Sequence, residues 1–109
     1  GNRIVLHKLL ATFLEDGIER IEKIHAALDA NDSAGLHLHA HTLKGSALNL
    51  RAPGLADAAL QIERLARHEK LDEARPLLPE LEREFERLRL YIEQVIAEKP
   101  DSSTPQPNA

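Results

Sequence analysis

The chain has 109 residues, of which 42% are hydrophobic and 3% aromatic, and it contains no cysteine. This length fits one domain with one core, the missing cysteines exclude disulfides and cysteine-ligated metals, and a composition rich in Leu, Ala, Glu and Arg favours helices. A formal charge of −4 without a basic run argues against a nucleic-acid partner, and no apolar tract is long enough to span a membrane. We therefore expect an all-α, cytoplasmic piece of a longer protein whose partner is another protein.

Two amphipathic segments open the chain. Apolar residues recur at three-and-four spacing over residues 3–14 and again over residues 18–28. The pattern predicts two helices, or one helix that is broken near Gly17.

The next two helices are marked by their start signals. Asp32 or Ser33 is a suitable N-cap for a helix over about residues 34–50. Pro53 then fits the first turn of a helix that reaches about residue 68.

A long helix is predicted over about residues 72–98, with Pro76 and Pro79 delaying or kinking its start. Residues 99–109 are rich in Pro, Ser, Asn and Gln and are predicted to form a disordered tail. Residues 1–98 are then one domain. Short connections between helices of this length favour an up-and-down antiparallel four-helix bundle with an additional N-terminal helix.

The helix over residues 34–50 carries the unusual residues. At about 100° per residue, the side opposite its apolar face collects five positions, namely His37, His41, Lys44, Gly45 and Leu48. A glycine inside a helix costs about 0.5–1 kcal/mol relative to alanine, so Gly45 needs a reason to be there. Close approach of another molecule would supply that reason.

An exposed histidine on this side is a candidate nucleophile. A neutral ring nitrogen can accept a phosphoryl group, and the ordinary histidine pKa near 6.5 provides the neutral form of His41 at cytoplasmic pH. Lys44, one turn away, can stabilise the added charge by a charge-assisted hydrogen bond. Gly45 leaves room for a partner's loop, and Leu48 offers an apolar docking contact.

The segment AHTLKGSALNL, residues 40–50, resembles the signature of the histidine phosphotransfer (HPt) domain of bacterial phosphorelays. The resemblance implies an HPt-like bundle in which His41 accepts a phosphoryl group from an aspartate of one receiver domain and passes it to another. It also implies that Lys44 supports the phosphoryl group and that Gly45 permits the receiver to approach.

The same resemblance implies a phosphocarrier and not an enzyme. Mg²⁺ would be bound by the partner response-regulator receiver domain, and this domain would bind no metal, cofactor or ATP. The family often stands at the C-terminus of a hybrid sensor histidine kinase, which would supply any tether to the inner membrane. We expect a monomer.

In this family the helix after the motif places a polar side chain near the imidazole. Glu63, with Gln61 as the second candidate, occupies the matching stretch. The family usually has glycine where this chain has Arg51. Receiver choice would depend on side chains around the histidine, namely His37, Leu38, Leu48 and Arg51.

Two other functions compete with the phosphocarrier. The phosphoacceptor region of a sensor kinase also presents a histidine on a helical bundle, but an acidic residue and then a proline usually follow it, whereas Thr42 follows here. The second alternative is a phosphotransfer-inactive helical docking module for signalling proteins, in which His41 is incidental.

The other histidines have simpler interpretations. His37 and His41 have the spacing of a helical metal-binding pair, but no carboxylate or third histidine joins them on that face of the helix. His39 falls nearly opposite His41 and is predicted to be half-buried with a packing role.

Overall fold

The computed structural model describes residues 2–98, which form helices joined by short turns. Its elements in chain order are α1 Asn2–Asp29, α2 Ser33–Asn49, α3 Pro53–Arg67, the short α4 Leu71–Ala74, a 3₁₀ turn Arg75–Leu77 and α5 Leu78–Glu98. The helix α2 packs between α1 and α3, and α5 completes the bundle against α3 and α1. The all-α four-helix bundle is confirmed. The predicted tail over residues 99–109 lies outside the described residues.

The core is made of the apolar stripes that the sequence pattern marked over residues 18–28 and along the later helices. The stripe over residues 3–14 is largely exposed, with Ile4, Val5 and Leu9 more than half open to solvent. Six large side chains of the core are fully buried, namely Ile24, Leu36, Leu43, Leu55, Ile62 and Leu81. Each fully buried side chain of this kind contributes about 1.5–3 kcal/mol of hydrophobic stabilisation. Across residues 2–98, no helix combines the length and the apolarity that crossing a membrane requires.

The two predicted N-terminal segments form one continuous helix, α1, which passes through Gly17 without a break. Gly17 is buried, and a Cβ atom built there would lie 2.8 Å from Cζ of Phe85 on α5. The glycine therefore serves the close approach of α5 to α1. A contact between positions so far apart in the chain leaves no local signal in the sequence.

Three helices end in the same tight turn. The residues Asn31, Arg51 and Glu69 follow α1, α2 and α3 with positive φ angles of 55°, 57° and 58°. After α2, Arg51 N–H donates to the carbonyl of Leu48 and Ala52 N–H donates to the carbonyl of Ala47, the bond pair of a Schellman motif. The turn at which the resemblance leads us to expect a glycine is thus made by an arginine in the left-handed region.

The helix starts follow their predicted signals. Asp32 is the N-cap of α2, and its Oδ1 accepts a hydrogen bond of 2.9 Å from Gly35 N–H. Pro53 occupies the first turn of α3. Pro76 lies in the 3₁₀ turn that precedes the last helix, which begins at Leu78, and Pro79 occupies the first turn of that helix.

Candidate functional site

The antiparallel pairing of α2 and α3 brings His41 and Glu63 together on one side of the bundle. The side chain of His41 is 59% exposed, whereas that of Glu63 is 3% exposed, and His41 Nδ1 lies 2.9 Å from Glu63 Oε2. The polar neighbour that the resemblance implied is therefore Glu63. An exposed imidazole rests on a buried carboxylate.

The protonation state of Glu63 decides which nitrogen of His41 carries the proton. Burial, the largest influence, raises the pKa of the Glu63 carboxyl, but the close contacts with Lys44 and His41 together outweigh it and hold the pKa below its ordinary value. An ionised carboxylate only accepts hydrogen bonds, so His41 Nδ1 donates and carries the proton. In the neutral ring, Nε2 then has a free lone pair.

Lys44 lies against the other oxygen of the same carboxylate. Its Nζ is 2.8 Å from Glu63 Oε1, and its side chain is 21% exposed. Within residues 2–98, Oε1 makes no directed hydrogen bond, so the ammonium charge is what compensates its burial. The sequence placed Lys44 beside His41, and the structure shows that the two residues are joined through Glu63.

Two further side chains approach Glu63 Oε2. His37 Nε2 lies 3.6 Å from this oxygen, and Arg67 Nη2 lies 3.7 Å from it. The rings of His37 and His41 are parallel within 5°, with centroids 6.1 Å apart. Sequence reasoning missed Arg67, although its spacing of four residues from Glu63 on α3 places both on one helix face.

The space around the histidine is open at Gly45. A Cβ atom built on Gly45 would meet nothing within 4 Å among the described residues. Leu38 and Leu48 are 57% and 58% exposed, and Arg51 is exposed in the turn that follows α2. Packing within the domain therefore does not explain Gly45, and the histidine face leaves two leucines uncovered.

The second candidate for the imidazole neighbour is wrong. Gln61 is exposed and donates a hydrogen bond of 2.9 Å to Asp57 Oδ2, one turn back on α3. A step of about 100° per residue turns Gln61 roughly 200° away from Glu63, so both cannot face α2.

His39 belongs to a different face. Arg20 Nη1 donates a hydrogen bond of 2.9 Å to His39 Nδ1, which ties α1 to α2. Burial lowers the pKa of His39, and the nearby charges of Arg20 and Lys23 lower it further, against the opposing effect of Asp32. His39 is half-buried and packs towards α1, as predicted.

The metal-pair interpretation also changes. A carboxylate does lie beside both His37 and His41, because α3 supplies Glu63, which the sequence of α2 alone could not show. The His41 contact is a direct hydrogen bond, however, and the described part of the chain has no group of His, Cys, Asp or Glu that could hold a metal ion.

Comparison with known proteins gives consistent results. The Hpt domain family matches residues 8–97. The chain is 26% identical over 86 residues to phosphorelay intermediate protein rdeA of Dictyostelium discoideum, which covers 79% of this chain but only 34% of that relative. It is also similar to the crystal structure of histidine-containing phosphotransfer protein B (HptB) from Pseudomonas aeruginosa PAO1, with a TM-score of 0.79 and 39% identity over 81% of this chain and 76% of that chain.

Proposed function

The chain belongs to the Hpt domain family, and from this membership we propose that it is a phosphocarrier that takes a phosphoryl group onto Nε2 of His41. The observation that carries the proposal is the 2.9 Å hydrogen bond from His41 Nδ1 to Glu63. It holds the proton on the inner nitrogen while the ring is 59% exposed. The nucleophilic lone pair is therefore on the nitrogen that a partner can reach.

The transfer is a displacement at phosphorus. The lone pair of His41 Nε2 attacks the phosphoryl group of an aspartyl phosphate, the P–O bond breaks, and the aspartate leaves as a carboxylate. The ring then carries a positive charge with its proton still on Nδ1, and the carboxylate of Glu63 stabilises that charge. In the onward step a second aspartate attacks, the P–N bond breaks, and the neutral ring returns.

Lys44 has two anionic partners in this scheme. In the free domain its ammonium neutralises Glu63 Oε1 at 2.8 Å. A phosphoryl group on the neighbouring histidine offers a second set of charged oxygens, which the flexible side chain can share. Arg67, 62% exposed beside the same carboxylate, adds positive charge near the group.

The partners in this proposal are response-regulator receiver domains. Each would bind Mg²⁺ at its own aspartate, and this domain would supply the histidine without binding metal or ATP. Gly45 gives the receiver access, and the exposed Leu38 and Leu48 provide apolar contacts around the histidine. We place the domain in the cytoplasm, in a hybrid sensor kinase or beside one.

A phosphotransfer assay tests the proposal. The domain is mixed with phosphorylated receiver domains, and acid-labile, base-stable label is followed on wild type, on His41→Gln and on the control His25→Gln. His25 is bonded to Glu82 on the α1–α5 side and takes no part in the site. We expect label on wild type and on His25→Gln, and none on His41→Gln. Receivers that bind the wild type without labelling it would support the docking module instead.

A further inference from the structure

One oxygen of Glu63 has more donors around it than it can bind equally. Oε2 accepts a hydrogen bond of 2.9 Å from His41 Nδ1. His37, on the preceding turn of α2, has its Nε2 3.6 Å from the same oxygen. His37 is 35% exposed, so solvent protons reach its ring. The two imidazoles are parallel, and both direct a nitrogen towards the same buried oxygen.

We propose that His37 is a positioning residue that sets the reactivity of His41 by competing with it for Glu63 Oε2. The proposal rests on the phosphocarrier function and extends it. When His37 is neutral, its one ring proton can sit on Nδ1. Nε2 then has no proton to donate to Glu63 Oε2, and His41 keeps its hydrogen bond to that oxygen. When His37 is protonated, its Nε2 carries a proton and the ring carries a charge, so Glu63 attracts it at the expense of the bond to His41.

Both consequences of a charged His37 act in one direction. A weaker bond to Glu63 leaves the proton of His41 less firmly on Nδ1, which reduces the availability of the Nε2 lone pair. A positive charge in a ring stacked on His41 also opposes the positive charge that His41 acquires on phosphorylation. The acceptor is therefore slowed in acid by a second histidine as well as by its own protonation.

Titratable and charged groups near His37 come from α2, from α3 and from the turn after α3. The helix α2 contributes His41, and α3 contributes Glu63 and Arg67. Glu69, in the turn after α3, lines the same open groove as His37 and Arg67. Among these groups, Glu63 is the anion nearest to the reacting histidine, so competition for it is what links the two rings.

Two substitutions reproduce the neutral and the charged form of the His37 side chain. His37→Phe keeps a flat ring that cannot be charged, and His37→Lys provides a charge that persists throughout the range where histidine titrates. The isolated domain is phosphorylated with phosphoramidate, in which the P–N bond breaks and ammonia leaves, so no receiver is needed. The rate of labelling at His41 is measured from about pH 6 to about pH 8, across the ordinary pKa of histidine.

At about pH 8 we expect wild type and His37→Phe to react alike and His37→Lys to react about three- to tenfold more slowly, the range that the net value of one hydrogen bond gives. At about pH 6, the lower end of the same range, we expect His37→Phe to be the fastest of the three. Nonspecific attraction of the anionic donor would instead make His37→Lys the fastest at either pH. The ¹⁵N signals of the His41 ring should show a smaller Nδ1–H population in His37→Lys at about pH 8.

The substitutions His25→Phe and His25→Lys are the matched controls, because His25 bonds to Glu82 between α1 and α5 and has no bond to Glu63, and we expect them to leave the profile unchanged. Superimposable profiles for wild type and both His37 variants would overturn the role of His37 while leaving His41 as the acceptor. Failure of receivers to label a domain that phosphoramidate labels would count against the phosphocarrier function and not against His37.

Discussion

His41 donates from Nδ1 to Glu63 over 2.9 Å, and the carboxylate that receives this bond is only 3% exposed. Its other oxygen lies 2.8 Å from Lys44. One buried charge thus orients the nucleophile and holds the cation next to it. Changes at Glu63 should therefore appear in the stability of the bundle and in the chemistry of the histidine together.

The pKa of Glu63 predicts a particular dependence of stability on pH. Its folded pKa lies below the ordinary value of about 4.5, so its stabilising effect is complete above that value and is lost as the pH falls through the lower folded pKa. Glu63→Gln cannot titrate. Urea unfolding should show wild type more stable than Glu63→Gln at neutral pH, with the difference shrinking below about pH 4.5. A difference that stays constant into acid would contradict the lowered pKa.

Removing Lys44 should destabilise the fold through Glu63. In Lys44→Met the buried Oε1 loses its compensating charge, which costs about 1–3 kcal/mol. Combining Lys44→Met with Glu63→Gln removes the charge that was left unpaired, so the double variant should lose less than the sum of the single variants. A double-mutant cycle by chemical unfolding measures this coupling. Additive losses would show that the ion pair contributes nothing.

Gly45→Ala should separate stability from function. Nothing within 4 Å obstructs the new methyl group, and a helical alanine is favoured over glycine by about 0.5–1 kcal/mol. We expect a more stable domain that receives phosphoryl groups from receivers more slowly, because the methyl group stands where the partner approaches. Thermal unfolding and the receiver assay measure the two effects. A stabilised variant with an unchanged transfer rate would show that Gly45 is not needed for the approach of the receiver.

Gly17→Ala makes the same change at a buried position of α1 and should have the opposite effect on stability. The new Cβ would overlap the ring of Phe85, and overpacking of this kind costs about 1–3 kcal/mol. Adding Phe85→Leu should recover part of the loss by making room for the methyl group. Chemical unfolding of the single and double variants gives the comparison, and a neutral Gly17→Ala would mean that α1 and α5 separate easily.

The turn at Arg51 predicts a stabilising substitution. Arg51 has φ of 57°, a region that a residue with a Cβ occupies at a cost, so Arg51→Gly should raise the free energy of unfolding by about 0.5–1 kcal/mol. Arg51→Ala is the control, because it removes the same charge but keeps the Cβ. Equal effects of the two variants in urea unfolding would assign the change to charge and not to the backbone.

The sequence predicts much of this structure because its signals are local. Helical spacing identified the core positions of α2, α3, α5 and the second half of α1, but it also marked Ile4 and Leu9, which are exposed. The exposed side of α2 carried His41, Lys44 and Gly45 in the correct relation to the core. Gly17 was misread as a possible break because its partner, Phe85, lies on the last helix. Gln61 was a wrong candidate because it lies two residues from Glu63, so its side chain points to the other side of α3. The link from Lys44 to His41 through Glu63 needed the packing of α3 against α2, which no single-helix pattern contains.

The most direct test of the proposed phosphotransfer is to identify the atom that carries the phosphoryl group. The domain, with ¹⁵N-labelled histidine, is phosphorylated by a phosphorylated receiver and examined by ³¹P and long-range ¹H–¹⁵N NMR. We predict a single phosphohistidine at His41, bonded through Nε2, with Nδ1 still protonated against Glu63. A phosphoryl group on Nδ1 of His41, or on any other histidine, would contradict the account.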